Sequence, residues 1–416
     1  MDAPSTEEVH PMRRWLMLAL GTAAQTAACA FVYGIPYLAA TLRTKEHLSL
    51  TQVGLLVAAP TAGLVLALYL WGAAADRWGE RVVIAVGLGA AAGALAAAAW
   101  AAHGMVALGL LLVLAGAAGA SVYSASGRLV MGWFSARERG LAMGIRQTST
   151  PLGMGVAALA MPPLSDAHGV GGAMGFLAVT CGVIAVLIAL FAADPARTAK
   201  AAAEPAPNPY RGSTVLWRVH GSAALLVIPQ FTAGAFALVL LVDVRGWSPV
   251  HAGQLIAVAQ GLGALSRILV GRWSDAVGSR LRPMRQLALL TAAVVGATAL
   301  ATGFPSALTP PLLVAAIALT ASTNGLSFTA TAERAGPAWS GRALGVHNTG
   351  QNLTAALVPP VMAAVISATA YWPAFTLAAL TACVSAALVP LPAASADRSR
   401  AARESGPAVV VRSRHE

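Results

Sequence analysis

Twelve runs of mostly apolar residues, each about as long as a membrane-spanning helix, constrain this chain more than any other feature. A helix that crosses the hydrocarbon core of a bilayer needs roughly 20 apolar residues. The runs lie at 14–39, 51–75, 82–102, 105–131, 141–163, 172–193, 217–242, 250–272, 286–303, 310–332, 342–367 and 372–392. Only 10% of the 416 residues are charged, which is too few for the surface of a water-soluble protein. The sequence therefore predicts an all-α membrane protein with twelve transmembrane helices.

Three polar segments divide the chain. Residues 1–12 and 393–416 are predicted to be terminal tails. Residues 194–216 are rich in alanine, proline and charge, a composition typical of a flexible linker. These boundaries predict one half with six helices at 13–193 and a second at 217–392.

Lysine and arginine are concentrated on one side of the predicted membrane. If the N-terminus is placed inside, 21 of the 27 basic residues fall in inner segments, three in outer segments and three within spans. Inner loops of membrane proteins carry this excess of positive charge. The pattern predicts a plasma-membrane protein with both termini, and the linker, in the cytoplasm. It also accounts for the net charge of +11 without a nucleic-acid partner.

A repeat of about 200 residues relates the two halves. The motif Gly72-x-x-x-Asp76-x-x-Gly79-x-Arg81 recurs as Gly271-x-x-x-Asp275-x-x-Gly278-x-Arg280, and residues 140–148 recur as 341–349. Both copies occur at the same point of a six-helix unit and have the same orientation. Parallel six-helix repeats are one known plan for transporters.

These residues resemble the major facilitator superfamily, and the resemblance covers essentially the whole chain. The loop from Gly72 to Arg81 is similar to the signature between helices 2 and 3 of that family, whereas the second copy has Ala276 in place of the first arginine. The resemblance implies a cavity between the halves, no enzyme activity and a loop that acts as a conformational latch. The implied latch residues are Gly72, Asp76, Arg77, Gly79, Arg81, Gly271, Asp275, Gly278 and Arg280.

Polar residues within the spans predict where that cavity lies. Polar side chains in lipid are costly and usually face a cavity or a neighbouring helix. Spans 3, 6, 9 and 12 have almost none, which predicts that these four helices face lipid. The candidate substrate-binding residues on the other spans are Gln25, Tyr33, Gln260, Asn324, His347 and Gln351.

Three arginines within spans, Arg128, Arg146 and Arg267, give the sharpest indication of chemistry. Each has two interpretations: contact with a substrate or gate, or a side chain that reaches the cytoplasmic surface. All 16 acidic residues fall in loops, tails or span ends, so no carboxylate inside the membrane is expected to neutralise them. Arg128 and Arg267 are therefore taken as candidate ligands of an anionic substrate.

The substrate class follows from a second, shorter resemblance. Arg267-x-x-x-Gly271, with Trp133-Phe134 and the stretch from Arg139 to Gly144, is similar to the monocarboxylate and oxalate–formate branch. It implies secondary transport of a small carboxylate. His347 is a candidate carrier of a coupling proton, because histidine titrates near neutral pH.

Two other functions stay open at this point. Proton-coupled export of drugs or metabolites is the main alternative, since Thr150-Pro151-Leu-Gly153 partly resembles the helix-5 motif of exporters. A sensor or membrane enzyme would need a site that the sequence lacks. The scattered cysteines and histidines predict no metal site and no cofactor, and the chain is expected to act as a monomer.

Overall fold

The structure is a computed structural model that describes residues 11–100, 104–195, 207–304 and 306–391. Residues 1–10 and 393–416 of the predicted tails, and 196–206 of the predicted linker, lie outside this part. Every regular element within it is a helix.

The helices of the first half begin close to the predicted spans. Leu50 to Trp78 is capped at Ser49, whose hydroxyl accepts a hydrogen bond from the Gln52 amide while the Gln52 side chain accepts one from the Ser49 amide. The helices are α1 (Pro11–Val32), α2 (Ala39–Thr44), α3 (Leu50–Trp78), α4 (Glu80–Trp100), α5 (Met105–Met131), α6 (Arg139–Gln147) and α7 (Ser149–Phe191), with a 3₁₀ turn at Ile35–Leu38.

The second half repeats this order. Its helices are α8 (Val215–Val239), α9 (Pro249–Val277), α10 (Leu281–Gly303), α11 (Thr309–Thr320), α12 (Asn324–Ala335), α13 (Ser340–Ala368) and α14 (Tyr371–Leu388), and a π-helical turn at Leu240–Val244 follows α8. Spans 5 and 10 of the sequence are each built from two consecutive helices, which meet at residue 148 in span 5 and at residues 321–323 in span 10.

Eleven helical stretches in the described residues are long and apolar enough to cross a bilayer. One of them, Arg139–Phe191, has 53 residues. At 1.5 Å per residue it would be roughly 80 Å long, more than twice the ~30 Å hydrocarbon core. The chain breaks at Gly169, whose φ of 69° is the left-handed conformation that glycine adopts without strain. This stretch therefore crosses twice, and the predicted twelve spans are confirmed.

Packing within each half uses small side chains, and large apolar side chains point outward. The core of the first half includes many alanines together with Leu64, Leu88 and Phe31, all fully buried. By contrast Leu66, Leu110 and many similar residues are more than half exposed. An apolar exterior of this kind is expected where lipid is the solvent.

Candidate functional site

A cavity of about 140 Å³ lies between the two halves. Both halves contribute polar side chains to it, whereas α4, α10 and α14 contribute none of the residues that line it. Its polar lining consists of Gln25, Tyr33, Tyr123, Arg146, Gln147, Thr150, Gln230, Arg267, Asn324, Asn348, Gln351 and Asn352. No acidic residue belongs to the lining within the described chain.

Arg146 projects into this cavity from α6 and is 2% exposed. Its Nη2 donates to the side-chain oxygen of Gln25 at 2.9 Å and to the Ser126 hydroxyl at 2.6 Å, and its Nη1 donates to Gln147 at 3.0 Å. All of these acceptors are neutral. The guanidinium is thus held in place without a carboxylate among the described residues.

Arg267 reaches the cavity from α9 in the other half and is 5% exposed. Its Nε donates to the carbonyl of Ala321 at 3.1 Å. Its Nη1 is buried and has no hydrogen-bond partner within the described residues. A buried donor without a partner is unfavourable, so Arg267 has an unused donor beside the cavity that it lines.

Four other predicted residues line the same cavity, namely Gln25, Tyr33, Asn324 and Gln351. The Tyr33 hydroxyl donates to the side-chain oxygen of Asn352 at 3.0 Å, which joins the two halves. Asn324 donates to Gln230 at 3.3 Å, and the Gln351 Nε2 is buried without a partner in the described chain. These groups add neutral donors and acceptors around the two arginines.

Arg128 does not line this cavity, and the expectation that no carboxylate neutralises it is wrong. Its Nη1 lies 2.5 Å from an Asp76 oxygen, and its Nε pairs with Glu80. Both carboxylates occur at the junction of α3 and α4, which the fold packs against α5. Arg128 is therefore part of a buried ion cluster, and the structure gives it no contact with a substrate site.

Two further predicted ligands also lie outside the lining. Gln260 is on α9, two turns before Arg267, and does not reach the cavity. His347 is buried within the second half and is not part of the lining, and its ring meets the ring of Phe328, a lining residue, edge-on at a centroid distance of 4.8 Å.

The predicted latch aspartates hold the two halves together at one end of the bundle. We call this the motif end, because the loops at 72–81 and 271–280 lie there. Asp76 accepts hydrogen bonds from the backbone amides of Gly341 and Arg342, at 2.9 and 3.1 Å, at the start of α13. Negative charge is favoured at a helix N-terminus, so each bond also favours the closed arrangement.

Asp275 makes the matching contact from the second half. It accepts hydrogen bonds from the amides of Gly140 and Leu141, at 2.8 and 2.7 Å, at the start of α6. Arg280 holds the same carboxylate at 2.5 Å. The sequence repeat is therefore a structural repeat in which each half caps a helix of the other.

Glycines allow these helices to meet backbone to backbone. A Cβ atom on Gly72 would collide with the carbonyl of Gly341, and one on Gly271 would collide with the carbonyl of Gly140. Small residues permit such close approach in membrane proteins. The motif end is closed at both of these crossings.

The remaining predicted latch residues do not cross between the halves. Arg81 donates to the carbonyl of Ala189 at 3.0 Å, and its backbone amide donates to Asp194, all within the first half. Arg77 is exposed beside Trp78. Gly79 and Gly278 have φ values of 91° and 65° and end their helices.

The comparisons with known proteins identify the fold and the family. Residues 16–359 match the model of the Major Facilitator Superfamily. The chain is 41% identical over 380 residues to the "Uncharacterized MFS-type transporter Rv2994" of Mycobacterium tuberculosis, which covers 91% of this chain and 85% of that protein.

Two solved structures have a similar fold. The proton:xylose symporter XylE superimposes with a TM-score of 0.75 at 13% identity, covering 91% of this chain and 96% of that one. The human organic anion transporter MFSD10 (TETRAN) gives a TM-score of 0.70 at 18% identity, covering 91% and 99%.

Proposed function

The chain belongs to the major facilitator superfamily and is a multi-pass membrane transporter rather than an enzyme, and from this we propose that it carries a small organic anion, a carboxylate, by secondary active transport. We place it in the plasma membrane with the motif end facing the cytoplasm. That orientation puts 21 of its 27 basic residues on the cytoplasmic side.

The two buried arginines of the cavity carry the proposal. A single arginine at the centre of a membrane helix costs about 2.5–3.5 kcal/mol on insertion scales. Arg146 and Arg267 bond only neutral acceptors among the described residues, and Arg267 keeps a donor without a partner there. A substrate that brings its own negative charge supplies the missing partner, and planar carboxylates match the two donors of a guanidinium.

The volume of the cavity bears on substrate size. A protein cavity of about 150 Å³ accommodates benzene, which has six non-hydrogen atoms. The cavity here has about 140 Å³, so it matches acids such as lactate, pyruvate or oxalate. The lining of amides and tyrosines would then hydrogen-bond the remaining oxygen atoms.

Alternating access explains the symmetric contacts at the motif end. The structure has this end closed by Asp76 and Asp275, with the cavity above it. Opening requires these helix caps and the glycine crossings to separate, which exposes the same cavity to the cytoplasm. The Asp76 and Asp275 contacts shift the equilibrium between the closed and open motif end without touching the substrate.

Ligand stabilisation of the purified transporter tests the substrate class. A ligand present at 100 times its dissociation constant stabilises the folded state by about 2.7 kcal/mol, which raises the melting temperature. We expect this effect for lactate, pyruvate or oxalate and none for glucose, uracil or tetraphenylphosphonium. Stabilisation by only the neutral or cationic compounds would overturn the anion proposal and favour export of drugs or metabolites.

Charge removal at Arg267 is the sharper test. A hydrogen bond to a charged group contributes about 1.5–3 kcal/mol, so Arg267→Gln should weaken anion binding about 10- to 150-fold. Arg272→Gln is the matched control, because Arg272 is exposed on the same helix. Equal anion affinity in the two variants, with unchanged melting temperatures of the ligand-free proteins, would remove Arg267 from the binding site.

A further inference from the structure

A chain of hydrogen bonds runs through the second half, from the connecting segment at the motif end towards the cavity. The Tyr210 hydroxyl lies 3.0 Å from Nε2 of His220, and Nδ1 of His220 lies 3.0 Å from Nδ1 of His347. Nε2 of His347 is 3.1 Å from the Ser327 hydroxyl, which donates at 2.9 Å to the backbone carbonyl of Asn324, one turn earlier on α12. Asn324 lines the cavity.

We propose that Tyr210, His220, His347 and Ser327 form the route of the coupling proton between the cavity and the motif end. This inference deepens the anion-transport proposal and rests on it for the cargo that the proton accompanies. It concerns groups that do not line the cavity, so it is tested separately.

One consistent set of donors and acceptors runs along the chain from Tyr210 to Ser327. Two Nδ1 atoms that are 3.0 Å apart form a hydrogen bond when one of them, and not both, carries a proton. If His220 carries it, its Nε2 accepts from Tyr210, and His347 donates through its own Nε2 to Ser327. The Ser327 hydroxyl in turn donates to the backbone carbonyl of Asn324. Every polar atom is then satisfied, as buried groups require.

A second set, in which donors and acceptors are reversed, also leaves no unpaired nitrogen on either ring. His347 then carries the Nδ1 proton, its Nε2 accepts from Ser327, and His220 donates through Nε2 to the Tyr210 oxygen. Passing from this arrangement to the first moves each bridging proton by one bond. The step balances when water on the cavity side gives one proton to the Ser327 oxygen and water at the motif end takes one from Tyr210, so the net charge of the four residues is unchanged.

Each passage leaves both histidines in the opposite tautomer. A second proton cannot follow in the same direction until both rings have exchanged their protons or turned over. Aromatic neighbours limit that turning, since Phe328 packs on His347 at 4.8 Å and Trp217 lies edge-on to His220 at 6.0 Å. The route therefore passes single protons and does not form an open leak.

The surroundings of the pair lack a competing charge among the described residues. Thr331 is the other polar group in contact, 3.3 Å from Nδ1 of His347. Charged residues on the neighbouring helices have other partners. Arg218 bonds the Leu388 carbonyl, Arg342 pairs with Asp76, Glu333 pairs with Arg139 and Arg280, and Arg146 bonds Gln25 and Ser126. Neighbouring residues thus provide only hydrogen bonds to the imidazoles.

Proteoliposomes containing the full-length transporter test the route with ¹⁴C-lactate and ¹⁴C-oxalate as probes. Uptake driven by a pH gradient needs a moving proton, whereas exchange of labelled for unlabelled anion does not. In His347→Asn and His220→Asn we expect loss of pH-driven accumulation with exchange retained within about twofold. Tyr210→Phe, which keeps the ring, should show the same separation, and His251→Asn, an exposed histidine at the opposite end, should match the native protein.

Native pH-driven accumulation in His347→Asn would overturn the route while leaving anion transport intact. An equal loss of accumulation and exchange would also overturn it, because that pattern means a structural role.

If neither anion is transported, the cargo proposal fails for these probes, and ¹⁵N NMR of histidine-labelled protein decides the route. The expected signature is coupling between the two Nδ1 atoms across a shared proton, absent in both asparagine variants. Protons on both Nε2 atoms, with no proton between the rings, would refute it.

Discussion

Asp76→Asn is the most direct perturbation of the closed motif end. Asp76 accepts from two backbone amides of α13, at 2.9 and 3.1 Å, and pairs with Arg128. An asparagine side chain has only one acceptor atom, so one backbone amide loses its partner. The other amide then bonds a neutral oxygen in place of a charged one. At about 1.5–3 kcal/mol for a hydrogen bond to a charged group, the ratio of closed to open motif ends should fall about 10- to 150-fold.

Pulsed EPR distances across the motif end measure this ratio. Spin labels at Arg137→Cys and Arg334→Cys report on the two halves, since both positions are exposed there. Cys383 is exposed and is replaced by serine, whereas Cys29 and Cys181 are buried. The native protein should give one short distance, and the asparagine variant should add a longer one.

Asp275→Asn serves as the matched variant, because Asp275 makes the same two amide contacts from the other half. The contacts given above for the two sites involve different residues, so their effects should add to about 3–6 kcal/mol in the double variant. If the closed state is too stable for one substitution to give a measurable open population, the double variant should still show one. An unchanged distance distribution in the double variant would refute the latch argument.

Two further predictions concern the other buried polar contacts. Arg128→Gln removes the arginine that the Asp76 and Glu80 carboxylates share, so it should lower the stability by about 3–5 kcal/mol in a thermal melt while the anion affinity of the folded fraction stays native. A lowered affinity with native stability would contradict this. Tyr33→Phe removes the hydrogen bond to Asn352 that joins the halves beside the cavity. A loss of about 1 kcal/mol should raise the open population about fivefold in the same EPR assay, a change that Tyr69→Phe, at an exposed tyrosine, should not reproduce.

The fold was predictable because its signals are local. Each span is a continuous apolar run, and the loop motif is repeated at the same place in both halves. The break within α7 was also readable, since no single helix of 43 residues fits a bilayer of ~30 Å. These features need no knowledge of which helices touch.

The site was only partly predictable because contacts between distant spans decide it. Arg128 lies inside an apolar run, yet the fold brings two carboxylates from the α3–α4 junction against it. Arg146 is close to the start of its helix, which by itself favours a side chain reaching the surface. The crossing of Gly144 against the backbone of Arg267 places both arginines at the central cavity instead.

Other residues give no signal in the sequence alone. His220 follows the linker by a few residues and looks like an interfacial histidine, and only the packing of α8 against α13 pairs it with His347. For Gln260 the sequence predicted a contact with the cavity that the structure does not have. Its spacing puts it on the same face of α9 as Arg267, but the cavity does not extend two turns along that face.

The proton route and the two arginines together determine how transport should respond to membrane potential. The tautomer argument allows one proton per ring exchange, so a singly charged acid would cross with no net charge, and oxalate would carry one net negative charge. A potential of 100 mV acts on one charge with about 2.3 kcal/mol, roughly a 50-fold change in accumulation. We therefore expect lactate accumulation in proteoliposomes to be unaffected by a valinomycin-imposed potassium potential, and oxalate accumulation to fall when the interior is negative. If lactate accumulation also followed the potential, a second charge would be moving with it, and the single-proton route through His220 and His347 would be wrong.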